Sequence, residues 1–167
     1  MTRPVSLIVR NVLFTIVVPG LGGVWLPWRL VSDSRGGAVT PGFWPAVVVI
    51  AAGVLLYGWC VWNFAAAGHG TPGLWDAPRR VVAAGPYRWV RNPIYLAAVA
   101  IVAGEAWLFL SLRVLVYAAA MAVFFHVFVV GVEERRLQGR FGAAYLDYRR
   151  AVPRWLPRRP AVPRPCS

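Results

Sequence analysis

A run of 39 mostly apolar residues, from Ile94 to Val132, constrains the fold of this chain more than any other feature. One membrane-spanning helix needs about 20 apolar residues, so the run is long enough for two. The segment Ser111-Leu112-Arg113 near its middle is the natural place for the chain to turn. We therefore predict a tight helical hairpin with its turn at 111–113.

Two further apolar segments precede this hairpin. The first extends from about Val5 to Trp28, with breakers at 19–20 and 22–23 that predict a kink, and the second from about Phe43 to Ala67. Only 14% of the residues are charged, whereas a soluble domain has about a quarter. The sequence predicts an all-α, polytopic membrane helix bundle of about four transmembrane helices, with residues 1–157 as a single domain.

The character of the chain changes after Val132. Residues 133–150 are polar and amphipathic, and five prolines from Pro153 onward stop any further helix. We predict a cytoplasmic amphipathic helix followed by a Pro/Arg-rich tail at 158–167 that is extended or disordered. The helix has two compatible interpretations, a lid over a pocket or a helix lying on anionic lipid headgroups.

The basic residues, all arginines, give the chain a net charge of +12 and an orientation. With four spans both termini lie on one side, and 15 of the 18 arginines fall there, leaving only Arg29, Arg35 and Arg113 opposite. The positive-inside rule then predicts cytoplasmic N- and C-termini for a multi-pass protein of the plasma or inner membrane. Because the arginines lie between and after apolar runs, the predicted partner is the lipid bilayer and not a nucleic acid.

The two cysteines and the glycines give no sign of a metal or dinucleotide site. Cys60 lies in an apolar segment and Cys166 near the end of the chain, so neither belongs to a metal-ligand spacing. The Gly68–Gly73 match to G-x-G-x-x-G follows an apolar helix and not a strand, which predicts a loop. We expect no metal.

The stretch from Gly85 to Leu96 joins a polar loop to the apolar hairpin. Asn92 is a favourable helix N-cap and Pro93 a favourable first helical residue. The positive end of the helix dipole then lies at the boundary between water and apolar surroundings, where an anion binds well. Two arginines and two tyrosines crowd the same place, and the stretch alone leaves open whether it is a cap or a binding site: Arg88, Arg91, Tyr87 and Tyr95.

Two carboxylates occur at the other cytoplasmic end of the same hairpin. Glu133 and Glu134 directly follow its last apolar residue. A basic, aromatic helix start facing two acidic residues is suited to holding a small zwitterion by both ends.

These residues also carry a family likeness. The run Arg91–Tyr95, followed one hairpin later by Glu133-Glu134, resembles the Arg-His-Pro-x-Tyr … Glu-Glu signature of small membrane methyltransferases. That group includes isoprenylcysteine carboxyl methyltransferases and phospholipid methyltransferases. Flanking matches to it are Gly85-Pro86-Tyr87-Arg88 upstream and Phe141-Gly142, Tyr145, Tyr148 and Val152-Pro153 downstream.

The resemblance implies S-adenosylmethionine (SAM) bound at the cytoplasmic face and methyl transfer to a lipidic or prenyl-type substrate entering from the bilayer. The cofactor carboxylate would meet Arg91 or the helix start, and its ammonium and ribose hydroxyls would meet Glu133. Tyrosine rings would face the adenine or the sulfonium. The implied cofactor-binding residues are Val81, Val82, Tyr87, Arg91, Asn92, Pro93, Ile94, Tyr95 and Glu133.

Two departures from the signature bear on the substrate. Asn92 stands at the histidine position, so this position loses a titratable ring. The prenylcysteine enzymes have an arginine four residues before the glutamate pair, where this chain has Val129. A phospholipid amine or another lipidic acceptor therefore fits at least as well as a prenylcysteine carboxylate, with amine N- or carboxyl O-methylation both open.

Two of the candidate residues, Glu134 and His126, have competing interpretations. Glu134 is the nearest candidate to accept a proton from an amine substrate, or else a solvated charge paired with arginine. His126 and Val129 are predicted to line the substrate route, although His126 also fits a histidine hydrogen-bonded within the bundle. The leading function is a SAM-dependent methyltransferase, and the alternative is a catalytically silent membrane adaptor of the same fold; the oligomeric state stays open.

Overall fold

The computed structural model describes residues 20–31, 42–67 and 83–158, and within these ranges all regular structure is helical. This confirms the predicted all-α class. Six α-helices, two π-helical turns and one 3₁₀ turn occur in this order: π turn Leu21–Trp25, α1 Leu26–Val31, α2 Phe43–Ala67, 3₁₀ turn Gly85–Arg88, α3 Pro93–Leu108, α4 Leu112–Phe128, π turn Val129–Glu133, α5 Glu134–Phe141 and α6 Ala143–Ala151.

Two of the described helices are long and apolar enough to cross a membrane. They are the 21 residues Phe43–Asn63 within α2 and the continuous 30-residue helix Leu112–Phe141. The α2 bounds agree with the predicted Phe43–Ala67. Its outer face is strongly apolar and exposed, with Leu55 74% and Trp62 71% accessible, as expected of a surface that contacts lipid.

The remaining parts of the four-span prediction are only partly described. Helix α3 is apolar but has 16 residues, which at 1.5 Å per residue is shorter than ~30 Å of hydrocarbon. Of the first predicted segment, Val5–Trp28, only residues from 20 onward lie within the described ranges, as the π turn and α1.

Helices α2 and α3 approach each other closely through small residues. A Cβ on Gly53 would come 2.7 Å from Ile101 Cγ1 and 3.0 Å from the Ala97 carbonyl oxygen. A Cβ on Gly104 would likewise come 2.6 Å from Ile50 Cγ1. Lipid tails are as apolar as leucine, so membrane helices associate by this kind of tight contact.

The predicted hairpin forms between α3 and α4, but its turn lies at residues 109–111, two residues earlier than the predicted 111–113. Helix α3 ends at Leu108 and α4 begins at Leu112. Leu110 takes a positive φ of 48°, and the Ser111 hydroxyl accepts a hydrogen bond from Val114 N at 3.4 Å, which caps α4. A small buried cluster joins the two helices just beyond the turn: Val102, Ala106, Val114 and Ala118.

The helix that begins with α4 contains a π turn at Val129–Glu133, directly before Glu134. A π turn holds one residue more than a regular turn, so it rotates everything after it by about 100° relative to α4. Glu134 and the residues after it therefore face a different side from the one that a regular continuation of α4 would give them.

The polar region after the π turn forms two short helices and then an extended segment. Gly142, at φ 53°, breaks the helix between α5 and α6. Helix α6 ends at Ala151, as the proline at 153 predicts. We call residues 152–158 the strap; of the predicted tail at 158–167, all but Arg158 lies outside the described residues.

Candidate active site

The start of α3 is built on a tightly fixed 3₁₀ turn. Gly85 has a φ of 54°, and a Cβ there would lie 2.5 Å from Asn63 Nδ2 at the end of α2. Tyr87, in the same turn, is 6% exposed, and its hydroxyl lies close to the buried Cys60 thiol of α2. Burial raises the pKa of Tyr87 well above its ordinary value, so the phenol is neutral. These contacts anchor the turn to α2.

Tyr95 and Glu133 lie together, one from each of the two ends of the α3–α4 hairpin that are remote from its turn. The Tyr95 hydroxyl donates a hydrogen bond to Glu133 Oε2 at 2.8 Å. The Tyr95 ring also packs on Phe125, with ring centroids 4.6 Å apart. The Tyr95 hydroxyl is thus fixed at the start of α3, and it holds the Glu133 carboxylate beside that helix start.

Glu134 is the centre of a buried ion cluster. Its Oε1 accepts a hydrogen bond from Arg91 Nη1 at 2.9 Å and another from Arg154 Nε at 2.7 Å. Its Oε2 accepts from Arg154 Nη2 at 3.0 Å. The side chains of Arg91 and Glu134 are 9% and 8% exposed, so this is a shielded pair and not a solvated surface charge.

The strap lies across the start of α3. Arg91 N donates to the Pro153 carbonyl at 2.9 Å, and Arg158 N donates to the Trp89 carbonyl at 3.0 Å. Helix α3 begins at Pro93 with Asn92 at the N-cap, as predicted, but the Asn92 side chain makes no capping hydrogen bond. Its Nδ2 instead donates to the Arg154 carbonyl at 3.2 Å, because the strap offers a carbonyl beside it.

Two tyrosines of helix α6 contact the 3₁₀ turn and Arg91. The Tyr148 hydroxyl donates to the Tyr87 carbonyl at 2.8 Å, and Tyr145 is 3% exposed beside Arg91. Burial raises the pKa of both hydroxyls, so Tyr145 and Tyr148 stay neutral.

An apolar pocket of about 340 Å³ opens between α3 and α4. His126 lies on its wall, and His126 Nδ1 accepts a hydrogen bond from Trp155 Nε1 of the strap at 3.0 Å. Tyr95 lines the pocket as well, so it belongs to both this pocket and the pair with Glu133. The residues that line it are Tyr95, Leu96, Val99, Ala122, Val123, Phe125, His126 and Trp155.

The residues predicted from the sequence divide into three groups. Those brought together at the helix start are Tyr87, Arg91, Asn92, Pro93, Ile94, Tyr95, Glu133 and Glu134. Val129 is buried, with 1% of its surface exposed, and it does not line the apolar pocket. Val81 and Val82 lie outside the described residues.

Sequence reasoning missed Arg154 and Trp155. The only signal was their position directly after Val152-Pro153, which the family likeness had already included. No group of three or more His, Cys, Asp or Glu side chains suited to a metal occurs in the described part of the chain.

Comparison with known proteins agrees with this geometry. A family model described as phospholipid methyltransferase matches residues 42–144, more than half of the chain. The match begins just before α2 and ends in the first turn of α6, so it contains the helix start of α3 and the glutamate pair but not the strap. No curated protein and no solved structure matches. The chain therefore belongs to the phospholipid methyltransferase family and is a membrane protein.

Proposed function

We propose that this protein is a SAM-dependent methyltransferase that methylates a lipidic or membrane-embedded acceptor at the cytoplasmic membrane face. The observation that carries the proposal is the juxtaposition of Tyr95, Glu133 and Arg91, from both ends of one hairpin, in a chain of the phospholipid methyltransferase family. This arrangement provides an anionic group and a cationic group on either side of a single helix start.

The residues present fit the cofactor. The Arg91 side chain is 9% exposed, and its Nε is buried without a hydrogen-bond partner among the described residues. A buried N–H without a partner is costly, and a carboxylate is the acceptor that guanidinium binds best. Arg91 would therefore hold the SAM carboxylate, with help from the helix N-terminus.

Glu133 is suited to the opposite end of the same ligand. Its carboxylate is held by the neutral Tyr95 hydroxyl and not by an arginine. In the proposed complex it would accept hydrogen bonds from the cofactor's ammonium or ribose hydroxyls. Tyr87 and residues 92–95 would complete the pocket, and Val81 and Val82 extend the same proposal to the preceding loop.

The cofactor, when bound, supplies an electrophilic methyl group on a sulfonium. The chain's own contribution is to align the acceptor, exclude water and neutralise the cofactor's charged ends. Alignment and desolvation alone can reach effective molarities of about 10⁵ M or more. The buried Tyr87 and Tyr145 and the half-buried Tyr148 would provide neutral walls that exclude water.

The two carboxylates then have different roles. Glu134 already accepts three hydrogen bonds from two arginines, which makes it a weak base. We propose that Glu134 fixes Arg91 and the strap, and that any proton of an amine acceptor passes to Glu133 or to water. Of the two, Glu133 has no cationic partner among its described hydrogen bonds.

The proposed orientation has both termini and the site in the cytoplasm. Its support is the distribution of arginines, of which five lie exposed on α5 and α6: Arg135, Arg136, Arg140, Arg149 and Arg150. The positive-inside rule favours the cytoplasm for such a region.

Calorimetry of purified protein with SAM tests the proposal. Glu133→Gln should weaken SAM binding by about 10- to 100-fold, the usual range for losing a charged hydrogen bond, and should leave the fold intact. Tyr87→Ala should also weaken it. Asp147→Asn is the matched control, because Asp147 is an exposed carboxylate on the same cytoplasmic side. Absence of binding at millimolar SAM would favour the adaptor function instead.

The acceptor proposed is a phospholipid amine. Val129 stands at the position of the prenylcysteine-binding arginine. It is apolar and buried, so this position offers no partner for a substrate carboxylate. Incubating membranes with radiolabelled SAM and separating lipid, protein and small-molecule fractions tests this. Label in the lipid fraction is expected, and label confined to protein would refute a lipid acceptor.

A further inference from the structure

The apolar pocket between α3 and α4 has the properties of a site for a hydrocarbon chain. Its volume of about 340 Å³ lies within the range of small-molecule sites, and its walls are apolar apart from Tyr95, His126 and Trp155. Val123 on its wall is 63% exposed, and it belongs to the membrane-crossing helix. A chain can therefore enter from the bilayer without passing through water.

The pocket wall also carries one hydrogen-bond donor. The Trp155 indole N–H can only donate, so His126 Nδ1 must be its acceptor. The proton of the neutral imidazole is then on Nε2, which is left to donate to an oxygen atom of a ligand. An amphiphile with an apolar chain and an oxygen-bearing head satisfies both parts of this wall.

The pocket is joined to the candidate cofactor site at two points. Tyr95 lines the pocket with its ring and binds Glu133 with its hydroxyl. The strap forms the second link, because Trp155 bounds the pocket while its neighbour Arg154 binds Glu134. The pocket and the ion cluster are therefore neighbours, connected by Tyr95 and by the strap.

We propose that this pocket holds one hydrocarbon chain of the methyl acceptor, a phospholipid, and that Trp155, fixed by His126, closes its end at the strap. The identification of the ligand as the methyl acceptor rests on the proposed function; binding of the chain does not. Because lipid tails are as apolar as the walls, the pocket selects by shape and by the His126 donor, and not by the hydrophobic effect.

Photolabelling without SAM tests the pocket by itself. The full-length protein is placed in nanodiscs of phosphatidylcholine containing a small fraction of phosphatidylethanolamine with a diazirine in one acyl chain. After irradiation, mass spectrometry compares the label on Val99, in the pocket, with the label on Leu55, on the lipid-facing side of α2. The ratio of the two corrects for general contact with the bilayer.

The chain offers a closely matched pair of variants. Val123→Trp fills the mouth of the pocket, whereas Val116→Trp makes the same change one heptad earlier on α4, outside the pocket. The two valines are 63% and 60% exposed, so neither substitution forces bulk into a packed core. Val123→Trp should lower the Val99-to-Leu55 ratio about tenfold, as for a one-decade loss of affinity, and Val116→Trp should not.

Equal ratios in the two variants would overturn the pocket proposal. The result is independent of cofactor binding, so the two proposals fail separately. Loss of SAM binding with an intact labelling pattern refutes the methyltransferase and leaves a lipid site. Normal SAM binding with unchanged labelling in Val123→Trp refutes this chain site and leaves the methyltransferase.

Discussion

Removing the charge of Glu134 is the most decisive perturbation of the open end of the hairpin, where the start of α3 meets the end of α4. Glu134→Gln keeps the shape of the side chain but leaves Arg91, 9% exposed, without its counter-charge. Breaking a buried ion pair by removing one partner costs about 3–5 kcal/mol, whereas an exposed pair contributes about 0–1 kcal/mol. We expect Glu134→Gln to lower the free energy of unfolding by about 3 kcal/mol.

The structure also predicts an order among the partners of Glu134. Arg154 is 29% exposed, and its loss leaves Glu134 still paired with Arg91. Arg154→Gln should therefore cost about 1.5 kcal/mol, the low end for hydrogen bonds to charged groups. The double variant should show a coupling energy of about 0.5–3 kcal/mol, because the two side chains are in direct contact.

Equilibrium unfolding in mixed detergent micelles, followed by far-UV circular dichroism, measures these differences. Asp147→Asn is the control, because its ion pair with Arg150 is 3.4 Å long and its partners are 80% and 74% exposed. The reasoning is refuted if Glu134→Gln costs no more than Asp147→Asn, or if Glu134→Gln and Arg154→Gln are strictly additive. Either result would make Glu134 a solvated charge that does not hold the strap.

Three further predictions concern the scaffold. Gly85→Ala should cost about 1–3 kcal/mol of unfolding free energy, because φ is 54° and the new Cβ would meet Asn63 at 2.5 Å; wild-type stability would contradict this. Gly104→Leu should force α2 and α3 apart, because even a Cβ at this position comes 2.6 Å from Ile50 Cγ1. Size-exclusion chromatography should then show aggregation, and a monodisperse peak like that of the wild type would refute the close packing. Tyr148→Phe should lower the free energy of unfolding by about 1 kcal/mol at neutral pH, because one hydrogen bond is lost. Burial raises the pKa of Tyr148 in the folded protein, so the wild type loses stability above about pH 10, where the tyrosine of the unfolded chain ionises. The Tyr148→Phe variant should lose less stability over that pH range. Denaturation curves at pH 8 and pH 10.5 measure both effects. If the wild type and the Tyr148→Phe variant lose the same stability between these pH values, the raised pKa of Tyr148 is refuted.

Local signals in the sequence were enough to predict the helices. The bounds of α2, the start of α3 at Pro93 and the end of α6 before Pro153 each follow from apolar length or from proline, which acts on its immediate neighbours. The hairpin turn near Ser111 was predicted in the same way. The pairing of the two hairpin ends also followed from topology, since antiparallel helices bring the residues before α3 and after α4 to one side.

The contacts made by the strap could not be predicted, because they join residues far apart in the chain. Asn92 has a good N-cap side chain, yet it binds the Arg154 carbonyl, 62 residues away. Nothing local to Asn92 distinguishes the two outcomes. The π turn at Val129–Glu133 was missed for a related reason. The apolar pattern of that segment fits a regular helix, and the contacts of Glu133 and Glu134 beside the widened turn join residues 38 and 43 positions apart in the chain.

The π turn explains how two consecutive glutamates come to have different surroundings. Adjacent residues on a helix point about 100° apart, so Glu133 and Glu134 can only both be satisfied if each has partners on its own side. Glu133 meets the hydroxyl of Tyr95, from the first turn of α3, and Glu134 meets the guanidinium of Arg91, which precedes that helix. The widened turn supplies the rotation that aims both carboxylates at one helix start. One carboxylate is paired with two arginines, and the other is held only by a neutral hydroxyl. The two consecutive acids are therefore not equivalent: Glu134 is occupied by arginines, and Glu133 is the one whose described hydrogen bonds include no cation.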